Sequence, residues 1–278
     1  MAFKIRDIDE TQAPLLEHLI ELRTRLLRCV AALVVSFGVC LYFAEDIFGF
    51  LEQPLKDAFP HGNGTLIYTK LYEAFFVEIK VALFAAFCVS FPIIANQLWA
   101  FVAPGLYAKE KKAFLPFLFA TPILFTLGAA LAYYLVMPHA FTWLLDFQGT
   151  PGGLKQEALP AMGDYLDLVM QFILAFGISF LLPVLLLLLN RAGIFTRSQL
   201  AKARRYVIVL AFAVAAVLTP PDPMSQLLLA IPLIMLFEGS LVIMWFTERR
   251  EAREEAAAAE EAPRQIEDVS AAAETKEG

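Results

Sequence analysis

Residues suited to holding a metal or running covalent chemistry are scarce in this chain. Its 278 residues include three histidines and three cysteines. His18, His61 and His139 fall in different segments, which argues against a histidine metal cluster. Cys29, Cys40 and Cys88 sit inside apolar stretches with no CxxC spacing and no fourth thiol, so inert packing is their expected role. GxSxG, HExxH and a phosphate-cradling glycine loop are all missing, so neither an enzymatic activity nor a cofactor is expected. Charged residues make up only 18% of the chain, and the net charge is −6. That charge comes largely from the tail after Phe246, where ten acids face five bases, so it leaves no nucleic-acid footprint. An internal repeat is also lacking, which counts against the inverted-repeat architecture of many secondary transporters. After the first apolar run no small-residue cleavage site follows, so that run is expected to remain as a span.

Apolar surface is what the chain has in excess: 59% of its residues are hydrophobic and the mean hydropathy is +0.64. A water-soluble core has no use for so much. Six apolar stretches, at 26–44, 74–98, 114–137, 166–189, 206–219 and 227–246, approach the roughly 20 residues a bilayer crossing needs. Taken as spans, they put 18 of the 22 lysines and arginines on one side, leaving Lys56, Lys70, Lys80 and Lys155 for the other. Short basic loops resist translocation, so the basic side is expected to be cytoplasmic with both termini inside. The resulting plan is an all-α integral membrane protein of six spans. A cytoplasmic segment with an amphipathic helix occupies 1–25, the membrane domain 26–246, and an acidic Ala/Glu-rich tail, solvated helix or disordered, 247–278.

Pro92, Pro116, Pro122, Pro183 and Pro232 lie within spans and are expected to bend them into a concave wall. The two C-terminal spans look short. The fifth, with about 14 apolar residues, covers only about 21 Å, which calls for local bilayer thinning or a hairpin that does not cross. Two long outer loops, 45–73 and 138–165, are expected to form a cap. In the first of them Ile47, Phe48, Leu51 and Leu55 recur at helical spacing, which suggests a short helix lying on the membrane surface.

Acidic residues supply the candidate sites. Glu21 sits beside the apolar face Leu15, Leu19, Leu22 and Leu26. It can pair with Arg25 at i,i+4 or offer a bidentate receptor to a guanidinium from another molecule. Glu110 stands among Lys109, Lys111 and Lys112, after an interfacial aromatic run (Trp99, Phe101, Tyr107) and a Pro104-Gly105 turn; it is a solvated charge or a second guanidinium receptor. Within the apolar stretches Glu238 requires protonation or a polar neighbour, whereas Glu78 and Lys80 can snorkel. Thr219, Asp222, Ser225 and Gln226 concentrate polar groups at the last outer turn, where another helix could dock.

Together these segments resemble the TatC family of twin-arginine protein translocases. The resemblance rests on His18-Leu19-Ile20-Glu21-Leu22-Arg23-Thr24-Arg25-Leu26-Leu27, on the Phe91-Pro92 to Lys112 stretch, and on Leu218-Thr219-Pro220-Pro221-Asp222 with Ser225-Gln226. It runs from about 15 to 246 and excludes the tail. The likeness implies a receptor in the bacterial cytoplasmic membrane that binds twin-arginine signal peptides of folded precursors. It also implies assembly with TatA-type and TatB-type single-span subunits, homo-oligomers within the receptor complex, and transport driven by the proton-motive force. By the same likeness Glu21 and Glu110 hold the arginine pair, with Leu22, Arg23, Gln97, Phe101, Pro104 and Leu106 around them. Pro54, Thr219, Asp222, Gln226 and Glu238 are then assembly or partner positions. Some members of the family carry a glutamate where this chain has Leu181, and Ser179 or Gln171 is a weak substitute. A secondary transporter or channel coupled through Glu238 is the alternative, and a scaffold for other membrane helices a third reading.

Overall fold

The computed structural model describes residues 9–59, 64–106, 111–149, 157–219 and 222–277, with side chains except at 9–17, 102–106, 111–116, 251 and 254–277. The described chain is helical, and Ile67 and Ala161 form an isolated backbone bridge. In order come α1 (Asp9–Tyr42), α2 (Ala44–Leu51), α3 (Gln53–Ala58), α4 (Glu73–Leu106) and α5 (Lys111–Leu131). A π segment (Ala132–Val136) then leads to α6 (Met137–Leu145), α7 (Met162–Ser179), α8 (Leu182–Arg191), α9 (Arg197–Lys202), α10 (Arg204–Leu218) and α11 (Pro223–Glu277).

Among the described residues five helical stretches are long and apolar enough to cross a membrane: His18–Tyr42, Glu73–Phe101, Phe117–Leu145, Met162–Arg191 and Pro223–Arg250. The fifth apolar stretch of the sequence is α10, which has only 15 residues. It rises about 22 Å and packs beside α11 as one arm of a hairpin. The last stretch is not short as a helix, contrary to expectation. Between Pro232 and Trp245 α11 meets no proline, so it continues past Trp245, where Arg249 lies 3.9 Å over the indole ring, into the tail. The backbone stays helical to Glu277, the helix alternative for that segment, and Ala and Glu are strong helix formers.

Of the five prolines expected to bend spans, only Pro183 coincides with a break, where α7 ends at Ser179 and α8 begins at Leu182. Pro92, Pro116, Pro122 and Pro232 sit inside continuous helices. Pro104 does too, so the turn expected at Pro104-Gly105 is absent and α4 runs on to Leu106; its sequel falls outside the described residues. A second irregularity arises ahead of Pro138, which the sequence reading left outside the third span. Pro138 has no N–H for the Tyr134 carbonyl and its ring crowds that turn. The preceding turn widens, and Met137 N–H reaches back five residues to the Ala132 carbonyl.

The main core lies at the end opposite the basic one. Phe172, Phe176, Leu166 and Val169 of α7 pack there on Val136, Met137, Ala140 and Phe141. Over them folds a cap built from α2, α3 and α6. Phe48, Leu51 and Leu55, read from sequence as a face for lipid, are buried in this protein core, and Ile47 is half-buried. Helical periodicity gave the correct apolar face but not what covers it. Two tyrosine hydroxyls fix the cap: Tyr133 donates to the Phe50 carbonyl and Tyr165 to the Leu51 carbonyl, both at 2.6 Å. These carbonyls belong to the last turn of α2, and four residues after Phe50 stands Pro54, which has no N–H to offer. Pro54, buried, sits in the first turn of α3, where its missing N–H is no loss.

Close approach of α5 and α7 depends on two glycines. A Cβ on Gly128 would lie 2.5 Å from the Phe176 carbonyl oxygen, and one on Gly177 would lie 2.6 Å from the Phe125 ring. Small residues at such crossings let backbones meet. Gly128→Ala is expected to destabilise the protein by about 1–3 kcal/mol, whereas Gly239→Ala, with nothing within 4 Å of its Cβ, should be neutral or slightly stabilising; thermal unfolding in one detergent compares them. Tyr165→Phe, which strands the Leu51 carbonyl, should cost about 1–3 kcal/mol in the same assay.

Candidate functional site

The basic end carries the acidic residue singled out in the first motif. Continuous helix from Asp9 lifts Glu21 to the basic end of α1, one turn before Arg25. Arg25 donates to Glu21 Oε1 from both Nε, at 3.0 Å, and Nη2. The i,i+4 pair read from the sequence is therefore formed. Glu21 Oε2 is left with His18 Nδ1 at 3.6 Å, too long for a hydrogen bond. Leu22 and Arg23 are exposed beside it.

His18 also joins this segment to the second motif. Its ring stacks on Phe101 with centroids 4.2 Å apart and planes 14° from parallel. Phe101 lies near the end of α4, and the contact brings residues 83 positions apart in sequence to one place. Nothing in the sequence pairs these two rings; only the packing of α1 along α4, the most extensive helix pair in the fold, does so. Glu110 lies outside the described residues, as do the side chains of Pro104 and Leu106. Gln97, one turn before Phe101, has a buried side-chain oxygen with no hydrogen-bond partner. That amide is an open acceptor beside the motif residues.

Between α4, the α7–α8 break, α10 and α11 lies an apolar cavity of about 460 Å³, lined by Trp99, Ser179, Leu181, Leu185, Val207 and Leu210 among others. The indole N–H of Trp99 donates to Thr121 Oγ1 at 2.8 Å, so the ring presents carbon to the cavity. Pro183 cannot donate to the Ser179 carbonyl, its helical partner four residues back. Leu181 makes the break apolar, and Gln171 is exposed on α7 without lining the cavity. Sequence reading found the break-point proline and Leu181 but not the cavity, which four separate elements assemble.

The α10–α11 turn gathers the predicted polar cluster. Thr219 Oγ1 donates to the Ala215 carbonyl at 2.8 Å, and Gln226 Nε2 to the Phe212 carbonyl at 3.2 Å. Asp222 caps α11 by accepting the Ser225 N–H at 2.6 Å. Its second oxygen, Oδ1, and the Ser225 hydroxyl are buried without partners. At the other end of the hairpin Glu238 meets Arg204 Nη2 at 2.9 Å. This is the polar neighbour its position demanded. Glu238 lies 15 positions into α11 and Arg204 opens the 15-residue α10, so the pair marks the basic end of a hairpin about 22 Å long rather than the membrane middle. Glu248 with Arg197, at 2.8 Å, repeats the arrangement further out.

Comparison with known proteins matches residues 17–232 to the family described as "Sec-independent protein translocase protein (TatC)". A TatC of Magnetococcus marinus is 50% identical over 248 residues, covering 89% of this chain and 90% of that protein. That of Escherichia coli (strain K12) is 41% identical over 249 residues, 89% and 94% of the two chains. Two crystal structures of a twin arginine translocase receptor, TatC, one of them in DDM, match with TM-scores of 0.71 and 0.70 at 37% and 38% identity. They cover 81% and 82% of this chain and 98% of theirs. Helical architecture, motif order and sequence thus agree: this chain is a multi-pass membrane protein of the TatC family, a subunit of the Sec-independent, twin-arginine protein translocation system.

Proposed function

We propose that the chain is the signal-peptide receptor of its translocase, with Glu21 and Glu110 holding the arginine pair of a twin-arginine signal at the cytoplasmic face of a bacterial inner membrane. The observation that carries this reading is the His18–Phe101 stack, which docks the Glu21 segment on the end of α4 from which the Glu110 loop departs. A guanidinium suits Glu21, since the carboxylate already accepts two donors from one in Arg25. Leu22, Arg23, Gln97, Phe101, Pro104 and Leu106 form the surround, and the open Gln97 oxygen supplies a neutral acceptor. Binding is the whole of the chemistry.

The buried and unpartnered Asp222 Oδ1 and Ser225 Oγ, with Thr219 and Gln226, favour the α10–α11 turn as a docking point for single-span subunits of the TatA and TatB type. Pro54 serves assembly through the cap, and homo-oligomers of the receptor are part of the same reading. Basic loops at one end favour both termini in the cytoplasm. The solute-transporter alternative rested on Glu238, and that residue is spent on Arg204.

Photocrosslinking in native membranes tests the receptor. A signal peptide carrying Arg-Arg should label the amino-terminal segment and the α4–α5 loop. Lys-Lys in the peptide, or Ala at either Glu21 or Glu110, should weaken labelling and peptide affinity at least about ten-fold, as expected for loss of a charge-assisted, bidentate contact. Equal labelling of every combination would refute the reading. Glu238→Gln should leave peptide affinity within about two-fold, whereas solute flux that depends on Glu238 would favour the transporter.

A further inference from the structure

Where the sequence pointed to α2 as the element lying on the membrane, the structure buries α2 and exposes another apolar surface. Tyr68, Leu71, Tyr72, Phe75 and Phe76, at the start of α4, are all more than half exposed, and Leu71 is 98% exposed. The backbone beneath them is held firmly. Glu73 accepts hydrogen bonds from the Thr69 N–H at 2.7 Å, the Thr69 hydroxyl at 3.0 Å, the Lys70 N–H at 3.3 Å and the Gly163 N–H at 2.8 Å. Ile67 is tied in both directions, its N–H to the Pro160 carbonyl and its carbonyl to the Met162 N–H. A leucine displayed on so well-fastened a turn is presented to something, since exposed apolar patches of this kind mark interaction surfaces.

Three features on the same helix identify that something as lipid. Tyr72, Phe76 and Leu83 fall on one stripe of α4, at i, i+4 and i+11, and Leu83 is exposed in the apolar part of the span. The patch thus continues the lipid-facing wall. Depth agrees: Lys80 and Asp167 pair at 2.8 Å with both side chains about half exposed, marking water. The 81–101 stretch below them spans about 31 Å, a full hydrocarbon core. Phe76, Phe75 and Tyr72 then stand about 7–13 Å above it, in the headgroup layer where aromatic rings collect. Composition is the third feature. Lys70, its Nζ 5.9 Å from the Tyr72 ring centroid, adds a cation that can reach a phosphate, and the Glu73 carboxylate is engaged by four hydrogen bonds from the turn and Gly163.

We propose that the 68–76 segment is an interfacial anchor. Leu71 enters the boundary between phospholipid headgroups and acyl chains, the tyrosine and phenylalanine rings lie among the headgroups, and Lys70 faces their phosphates. The anchor sets the depth of α4 and of the start of α7, joined to it through Gly163.

The test places the full chain, one copy per nanodisc of phosphatidylethanolamine and phosphatidylglycerol, before a membrane-impermeant maleimide, with modification located by mass spectrometry. Leu71→Cys should react at least ten-fold more slowly than Asp57→Cys, an exposed position on α3. Equal rates would overturn the proposal. So would protection of position 71 that appears only at several copies per disc, which would assign the patch to contact between chains. As a second readout, a nitroxide at position 71, with the native cysteines replaced, should be mobile and more accessible to oxygen than to a water-soluble nickel chelate. An immobilised label shielded from both reagents would likewise overturn it.

Discussion

Hydrocarbon offers no hydrogen bonds, so every polar backbone group at membrane depth must find its partner within the protein or lose several kcal/mol. The irregular features of this fold are answers to that constraint. Ahead of Pro138 the helix keeps its carbonyls occupied by widening one turn, with Met137 bonded to Ala132. Hydroxyls inside the spans bond back along their own helices, Ser90 to the Ala86 carbonyl, Thr121 to Phe117 and Ser240 to Leu236. Where α2 ends, Tyr133 and Tyr165 reach from the third and fourth spans to its last carbonyls. The cap is thereby a continuation of the span packing rather than a lid resting on it.

Charge obeys the same constraint. Three ion pairs between distant elements flank the apolar stretches: Lys80 with Asp167 toward the capped end, Arg204 with Glu238 and Arg197 with Glu248 toward the basic end. Together they delimit the apolar slab from both sides. The slab is thinner along α10, whose 15 residues separate Arg204 from the Thr219 turn, and the neighbouring cavity at the α7–α8 break opens on that thin region. A break lined by Leu181 rather than an acid can accept an apolar helix without first neutralising a charge. It offers that helix only the Ser179 hydroxyl and carbonyl as polar contacts.

Much of this was legible in the sequence because it is local. Hydropathy runs located the long apolar helices, and the three motifs in order located the family. Glu21–Arg25 followed from helical spacing. What escaped was whatever depends on a neighbour far along the chain. The partner of Glu238 lies 34 residues upstream, and the ring beneath His18 lies at 101. Amphipathic spacing in α2 reported an apolar face correctly, yet Phe48, Leu51 and Leu55 meet α6 and α7 rather than lipid. Hydrophobicity measures aversion to water, and protein core and acyl chain satisfy it equally. Leu71 shows the converse: with Tyr68, Tyr72, Phe75 and Phe76 it repeats at helical spacing much as the α2 residues do, yet this face stays exposed.

The pairing of Glu21 with Arg25 has a further consequence for the proposed receptor. A signal arginine arriving at Glu21 meets a carboxylate whose Oε1 is already taken and whose Oε2 faces only His18 Nδ1, at 3.6 Å. Exchange of one guanidinium for another gains little on its own, since the bonds made replace bonds of the same kind. Net affinity must come from what Arg25 cannot supply: simultaneous engagement of a second acid by a second arginine, and burial of the signal's apolar segment against the spans. A receptor built this way discriminates by requiring two charges at a fixed spacing. A single arginine, or a lysine pair that cannot bond bidentately, competes with Arg25 and gains nothing further. On the proposed reading the internal pair is part of the selectivity, holding Glu21 in a geometry already fitted to guanidinium while denying it to weaker claimants.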